Sequence, residues 1–244
     1  MRRYLRDGAL AGVAGGAALA LVLLLAGEET IGRAIDLESR ANPGGGDEMF
    51  SRGAQQAGGA VAGLIWGLCL GAVFAVGYYV LRRHLSTRSD WRAAVTLAGI
   101  GFVTLNLVPF LKYPGNPPGV GDSDTIGRRT TLYLLMLSWS VVSTAGAWRA
   151  ARWLDSRGWP DHLRLPAVVA LYAALAVVGF AALPGSPDVV GAPATLVWRF
   201  RLESLAGTAT FWAVAGTVFG WLRLSAAGHP PFAWLKGKET ADTR

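Results

Sequence analysis

Residues 53–81 read GAQQAGGAVAGLIWGLCLGAVFAVGYYVL and contain no charged side chain. A helix of about 20 residues spans the hydrocarbon core of a bilayer, which is about 30 Å thick. A helix on the surface of a soluble domain keeps one polar face, whereas this run is apolar on every side. The stretch therefore predicts a membrane-spanning helix.

Five further uncharged runs of similar length flank this one, in a chain of 244 residues with 52% hydrophobic and 16% charged side chains. Helices are predicted at about residues 8–27, 53–81, 93–111, 130–148, 165–183 and 204–222. Three outer loops remain, at residues 28–52, 112–129 and 184–203. We predict an all-α, polytopic membrane protein that forms a single integral membrane domain over residues 1–244, with six transmembrane helices arranged as three hairpins.

The first run has an alternative interpretation, because MRRYLRD followed by an apolar stretch also resembles a secretory signal peptide. The apolar core of a signal peptide is about 7–15 residues long and precedes a small-residue cleavage site. Residues 8–27 are longer, and LLLAGEE has no such site. We interpret the run as a transmembrane helix; cleavage near Glu28 would leave five helices.

The distribution of charge predicts the orientation. Of the 23 Lys and Arg residues, 15 fall in the segments that share a side with the N-terminus, together with six of the 16 acids. Because short cytoplasmic loops are enriched in Lys and Arg, both termini are predicted to be cytoplasmic, in an inner-membrane protein. The formal charge of +7 is accounted for by this asymmetry, so the expected partner is the lipid bilayer and not nucleic acid.

Two of the hairpins share a pattern when the chain is shifted by 70 positions. Eight residues of the second outer loop recur in the third, in the same order: Phe110/Phe180, Pro114/Pro184, Gly115/Gly185, Pro117/Pro187, Val120/Val190, Gly121/Gly191, Thr125/Thr195 and Arg129/Arg199. The second and third hairpins are therefore predicted to be a parallel repeat. The alternative is that Pro and Gly cluster in any loop.

Glycine spacing predicts close packing of the first and second helices, although such a stripe could also mark a sliding surface. Glycines recur every fourth residue between Gly59 and Gly71, and again between Gly8 and Gly16. Such spacing forms a stripe along which a neighbouring backbone approaches.

The loop FLKYPGNPPGVGDSDTIGRR, residues 110–129, is rich in Pro and Gly, which fix or permit particular backbone angles. The loop is predicted to have a defined conformation and to be more than a linker between two helices. Asp122 and Asp124 precede the fourth helix, where carboxylates cap free amides. They are interpreted either as caps or as ligands that capture a cation.

Further charges lie at the same predicted depth. The bases are Lys112, Arg128, Arg129, Arg199 and Arg201, and the acids are Glu28, Glu29, Asp122, Asp124 and Glu203. Arg199 and Glu203 are one helical turn apart, which favours an ion pair. A ring of such pairs would either lock the hairpins together or form a gate at which a cation competes with arginine.

Polar side chains at membrane depth usually face the inside of a bundle. The fourth helix carries Tyr133, Met136, Ser140, Ser143 and Thr144 on roughly one face, and the third carries Thr104 and Asn106. They are interpreted as helix–helix hydrogen bonds or as a path for a solute.

Several chemistries find no support in the sequence. There is no Walker-type Gly–Lys loop, HExxH or GxSxG motif, and Cys69 is the single cysteine. We therefore predict a protein that is not an enzyme, has no ATPase of its own and holds no permanently bound cofactor.

The segment KYPGNPPGVGDSDTIGRRTTLY, together with VWRFRLESL, AGEETIGRAIDLE and SRGAQQAGG, resembles the recurring blocks of the CbtA-type predicted cobalt transporter subunit family. The resemblance implies Co²⁺ as substrate, imported for cobalamin synthesis. It also implies a partner, a small one-helix membrane subunit with a His-rich end, CbtB-like. The matching positions are Lys112, Tyr113, Pro114, Asn116, Pro117, Pro118, Gly121, Asp122, Thr125, Arg129, Arg199 and Arg201.

On this basis a candidate path is assigned. The metal-facing residues are Glu28, Glu29, Asn116, Asp122 and Asp124, and the rim or gate residues are Lys112, Tyr113, Thr125, Arg129, Tyr133, Arg199, Arg201 and Glu203. The alternatives are a structural or regulatory membrane protein without transport activity, and an anion-binding protein that uses the outer arginines.

Overall fold

The computed structural model describes residues 1–41, 51–85, 87, 89–186 and 191–228. Within these ranges every regular element is a helix, and six helices are long and apolar enough to cross a membrane. The all-α, six-helix prediction is confirmed. The hairpin arrangement and the parallel repeat stay predictions, and two of the repeat positions, Pro187 and Val190, lie outside the described residues.

The six spans are formed by eight α-helices in the described part of the chain. The first span consists of α1 (Arg2–Val22), a π-helical segment (Leu23–Gly27) and α2 (Glu28–Ala41). The next spans are α3 (Arg52–Leu81) and then α4 (Asp90–Phe102), which continues through a π-helical segment (Val103–Leu107) into α5 (Val108–Lys112). The last three are α6 (Ile126–Ser156), α7 (Asp161–Ala182) and α8 (Ala194–Ala226).

Helical structure continues into two stretches where hydropathy predicts outer loops, residues 28–41 and 194–203. Ion pairs one turn apart support both extensions. Arg33 Nη2 lies 2.5 Å from Glu29 Oε1, and Arg199 Nε lies 2.9 Å from Glu203 Oε1. Such pairs stabilise an exposed helix by a few tenths of a kcal/mol, about 0.2–0.5 each. Hydropathy marks only the part of a helix that lies in lipid, so it misses these ends.

The described residues form two compact units. Unit 1 contains residues 1–28, 51–85, 87, 89–101 and 206–228, and unit 2 contains residues 29–41, 102–186 and 191–205.

In unit 1, α1 and α3 meet through their glycines. A methyl group on Gly12 would lie 2.8 Å from the Cα of Gly71, and one on Gly71 would lie 2.7 Å from the Cα of Gly12. Gly67 is equally close, since a methyl group there would lie 3.0 Å from the Cα of Gly16. The two backbones are therefore in direct contact, as the glycine spacing predicts.

A buried charge cluster closes one end of unit 1. Asp7 is 1% exposed, and its carboxylate accepts hydrogen bonds from Arg6 Nη2 at 2.9 Å and Arg223 Nη1 at 3.0 Å. The Arg223 guanidinium also lies 4.1 Å from the ring centroid of Tyr4. This cluster ties α1 to α8.

A second polar contact in unit 1 joins α3 to α4. Asp90 Oδ1 accepts from Tyr78 Oη at 3.0 Å and from Arg82 Nε at 2.7 Å. Tyr78 is fully buried, and its ring packs against Phe219 with centroids 4.8 Å apart.

Unit 2 is organised around the packing of α6 on α7. Trp139 Nε1 donates to the carbonyl of Leu175 at 2.7 Å, and Ser140 Oγ lies 3.0 Å from Tyr172 Oη. Gly179 leaves room for the indole, because a methyl group there would lie 2.6 Å from Trp139 Nε1. The surrounding core is formed by Val108, Tyr113, Leu132 and Met136.

Candidate functional site

The loop between α5 and α6 is fixed at its start to the end of α7. Lys112 Nζ donates to the carbonyl of Phe180 at 2.8 Å, and Tyr113 Oη donates to the carbonyl of Pro184 at 2.6 Å. Tyr113 is buried, and that burial raises the pKa of its phenol. Two of the predicted rim residues, Lys112 and Tyr113, therefore anchor the loop through backbone carbonyls.

The middle of the loop is a tight turn. The amide of Val120 donates to the carbonyl of Pro117 at 3.2 Å, and Gly119 has a φ of 70°, which disfavours other residues. A methyl group at Gly119 would also overlap the carboxylate of Glu38. The loop has a defined shape, as its composition predicts.

Asp122 organises the start of α6. Its Oδ1 accepts from the amide of Asp124 at 2.9 Å, and its carbonyl accepts from Thr125 Oγ1 at 2.8 Å. The same carbonyl lies 3.5 Å from Arg129 Nη2. The structure brings these four predicted site residues together around Asp122. The Asp122 side chain caps the short turn Ser123–Thr125, whereas Thr125, the residue before α6, forms no side-chain cap hydrogen bond.

Asn116 and Arg201 join the loop to α8. Arg201 Nη2 donates to Asn116 Oδ1 at 2.9 Å, and Arg201 Nε donates to the carbonyl of Gly115 at 3.3 Å. A single guanidinium thus holds one side-chain oxygen and one backbone oxygen of the loop.

The densest group of charges is the Arg199 cluster, which we define as Arg199, Glu29, Glu203, Thr30 and Arg33. Arg199 Nη2 donates to Glu29 Oε2 at 2.8 Å, and Arg199 Nε donates to Glu203 Oε1 at 2.9 Å. Two carboxylates from different helices therefore meet the neighbouring nitrogens of one guanidinium. Arg33 closes the other side of Glu29.

Glu203 is the most enclosed member of the Arg199 cluster. Its side chain is 11% exposed, and its Oε1 also accepts from the buried hydroxyl of Thr30 at 3.0 Å. Its second oxygen, Oε2, is buried and has no hydrogen-bond partner among the described residues. A shielded carboxylate oxygen without a hydrogen-bond donor is costly, and a cation is one ligand that would satisfy it.

A cavity of about 500 Å³ opens beside the cluster. Its lining combines three arginines with one acid and small or apolar side chains: Arg33, Asp36, Leu37, Arg40, Pro193, Thr195, Leu196 and Arg199. It gives a small hydrated ion or ligand a way to reach Arg199.

Two predicted residues have other surroundings. Glu28, in unit 1, accepts from Arg52 Nε at 2.8 Å and from Gln56 Nε2 at 2.6 Å. Glu28 and Glu29 are neighbours in the sequence but have different partners. Tyr133 packs against the apolar core of unit 2.

Within the part of the chain that the structure describes, no three His, Cys, Asp or Glu side chains are grouped to hold a metal ion. The carboxylates of Glu28, Glu29 and Glu203 are each paired with an arginine. The arrangement suits a passing cation that displaces an arginine better than a resident one. Thr30 and Arg33 were not predicted; the spacing of Arg33 from Glu29 could have indicated that pair, whereas Thr30 carries no signal.

Six membrane-length helices, with ion-paired charges at the helix ends, define a multi-pass α-helical membrane protein. The family model described as probable cobalt transporter subunit (CbtA) matches residues 1–223, and the chain belongs to this family. The family description is that of a transporter subunit acting on cobalt and not of an enzyme, and the word subunit implies a partner protein. Comparison with curated proteins and with solved structures gives no match.

Proposed function

We propose that the chain is the membrane subunit of a Co²⁺ importer that supplies cobalamin synthesis and has no ATPase of its own. It lies in the inner membrane with both termini in the cytoplasm, which places the loops at 28–52, 112–129 and 184–203 outside. Membership of the family and the excess of bases on the side of the termini support this proposal.

The observation that carries the proposed route is the shared guanidinium of Arg199. Because Glu29 and Glu203 bind neighbouring nitrogens of one group, a divalent cation at that position would meet oxygens of both carboxylates. Glu203 Oε2 would supply a further oxygen. Co²⁺ accepts oxygen ligands, so it competes with Arg199 for this pair of acids.

Other predicted residues of unit 2 serve this step. Asp122 and Asp124 attract the ion, and Asn116 with nearby backbone carbonyls replaces part of its water shell. Lys112, Tyr113, Thr125, Arg129, Tyr133 and Arg201 hold the rim in shape. Capture by oxygen atoms alone is weak, which suits passage, and a His-bearing one-helix partner of the CbtB type would supply selectivity.

The test is uptake of radioactive Co²⁺ by cells that lack other cobalt importers and carry the full chain with its partner. We expect Glu203→Gln and Glu29→Gln to lower uptake at least about ten-fold, because loss of even an outer-shell partner of a metal typically costs about 10- to 100-fold. Asp36→Asn is the matched control, since it removes an acid from the same cavity and from outside the cluster. Uptake at the wild-type level in both glutamate variants, at equal protein amount, would contradict the route.

One observation favours the anion-binding alternative. The 500 Å³ cavity carries Arg33, Arg40 and Arg199, which suit a carboxylate or phosphate group. In that case Arg40→Gln would abolish binding of the anion, whereas the proposed Co²⁺ route predicts little effect of this change on uptake.

A further inference from the structure

A second polar region of unit 2 lies at membrane depth, where the π-helical segment Val103–Leu107 contacts α6. Thr104 is buried there, and Ser140 and Ser143 are buried on the facing helix. They are three of the five buried polar or charged residues in the described part of the chain. Polar groups at this depth are rare and usually functional, so buried hydroxyl groups on both of these segments call for a ligand or a packing role.

The backbone of this segment leaves one carbonyl without its usual helical donor. The amide of Val108 donates to the carbonyl of Val103, one residue further back than in an α-helix. The next residue is Pro109, which has no amide hydrogen. The carbonyl of Thr104 therefore receives no donor from the turn that follows it. Single π-helical turns of this kind are frequent at functional sites, and irregular backbone at membrane depth is tolerated where it is buried or lines a cavity.

The hydroxyl groups are arranged so that Thr104 offers a second oxygen. Thr144 Oγ1 donates its hydrogen to the carbonyl of Ser140 at 2.9 Å. In the 2.8 Å contact between Thr104 Oγ1 and Thr144 Oγ1, Thr104 must then be the donor. The lone pairs of the Thr104 hydroxyl receive no donor among the described residues. Thr104 thus presents both its hydroxyl and its carbonyl oxygen.

The oxygen atoms available to an ion at this site are all neutral, and this favours an ion of low charge. The cost of removing an ion from water rises with the square of its charge, so hydroxyl and carbonyl oxygens without a carboxylate suit a monovalent ion far better than a divalent one. Carbonyls freed from a broken membrane helix, together with hydroxyls, are the ligands that coupling Na⁺ ions use near the middle of the bilayer.

We propose that the Thr104 hydroxyl and carbonyl, with the hydroxyls of Thr144 and Ser143, form a Na⁺ site. This Na⁺ site is argued from contacts within unit 2 alone. Its role, to couple inward Co²⁺ movement to the inward Na⁺ gradient, rests on the proposed function.

The test is binding of ²²Na⁺ to the purified full chain in lipid nanodiscs, with KCl and choline chloride as competitors. Thr104→Val removes the hydroxyl, and Pro109→Ala restores an amide that can occupy the free carbonyl. We expect both to weaken binding at least about ten-fold, since even outer-shell losses weaken ion sites by about 10- to 100-fold. Thr104→Ser keeps the hydroxyl and should bind as wild type does.

Two matched controls remove a hydroxyl or a proline elsewhere in unit 2. Thr131 bonds only to its own helix and is exposed, so Thr131→Val should leave binding unchanged. Pro166 lies inside α7, so Pro166→Ala restores an amide away from the site. The proposal would be overturned if the wild-type protein bound no Na⁺ or bound K⁺ equally well. It would also be overturned if both Thr104→Val and Pro109→Ala bound Na⁺ with the wild-type affinity.

Measuring Co²⁺ uptake with and without external Na⁺ separates the two proposals. If Co²⁺ uptake needs no Na⁺ and the chain binds none, the proposed Na⁺ site is refuted and the proposed Co²⁺ import stands. If the chain binds Na⁺ but transports no Co²⁺, the proposed Na⁺ site is supported and the proposed function is refuted.

Discussion

Removal of the charge on Asp7 should destabilise the protein strongly, and the two arginines that contact it should contribute very unequally. Asp7 is 1% exposed, Arg223 is 14% exposed and Arg6 is 69% exposed. The Asp7→Asn variant keeps the size of the side chain but removes the carboxylate charge that pairs with the enclosed Arg223.

The burial sets the magnitude. Breaking a buried ion pair by removing one partner costs about 3–5 kcal/mol, whereas an exposed pair contributes about 0–1 kcal/mol. Arg223 also interacts with Asp90, so the lower part of the range is expected for Asp7→Asn. With about 2–4 °C per kcal/mol for a chain of this size, Asp7→Asn should lower the melting temperature by about 6–12 °C. Arg6→Gln should lower it by less than about 4 °C.

The assay is thermal unfolding of the purified protein in one detergent, followed by intrinsic tryptophan fluorescence. Arg6→Gln is the matched control, because it removes the exposed arginine from the same carboxylate. If Arg6→Gln and Asp7→Asn lowered the melting temperature equally, burial would not be what decides the strength of these pairs, and the reasoning would be refuted.

Three other outcomes follow from the structure. Gly67→Leu should separate α1 from α3 and lower the free energy of unfolding by at least about 1–3 kcal/mol, measured by thermal unfolding. Gly77, on the same helix, has open space around it, so Gly77→Leu should cost little. Equal losses of stability in the two variants would contradict direct backbone contact. Tyr113→Phe should lower the free energy of unfolding by about 0.5–1.5 kcal/mol at pH 7. Because burial raises the pKa of Tyr113, this stability difference should persist at lower pH and shrink above about pH 10, where the phenol of the unfolded chain ionises. The exposed Tyr79→Phe is the control, and a difference that grew above that pH would be inconsistent with the reasoning. In a Cys69→Ser background, a cysteine introduced by Asp36→Cys should react with a membrane-impermeant thiol reagent in intact cells. A cysteine introduced by Ser156→Cys should react only after the membrane is permeabilised. The reverse pattern would place the termini outside.

Membrane spans were predictable from the sequence because uncharged length is itself the physical requirement for crossing a bilayer. Close packing of α1 and of α3 against a neighbouring backbone was predictable too, from glycines at a spacing of four, although the spacing did not say that the two helices contact each other. The pair Arg199–Glu203 followed from its one-turn separation and is confirmed.

Contacts between distant positions could not be predicted in this way. Glu29 meets Arg199 across 170 positions of sequence, and Asp7 meets Arg223 across 216. Each charge had several possible partners of opposite sign, and only the packing of the helices selects one. The π-helical segment at Val103–Leu107 was equally hidden, because Pro109 alone predicts a helix start or a kink and not a shifted register.

The glycine contact between α1 and α3 has a consequence for biogenesis. It is complete once residue 81 has been synthesised, and it needs no side chain to select a rotamer before the two segments touch. The pair can therefore associate in the membrane while the remaining spans are still on the ribosome, and serve as the platform on which they assemble. Substitutions along this seam should reduce how many molecules mature in the membrane while leaving the turnover of each mature molecule unchanged.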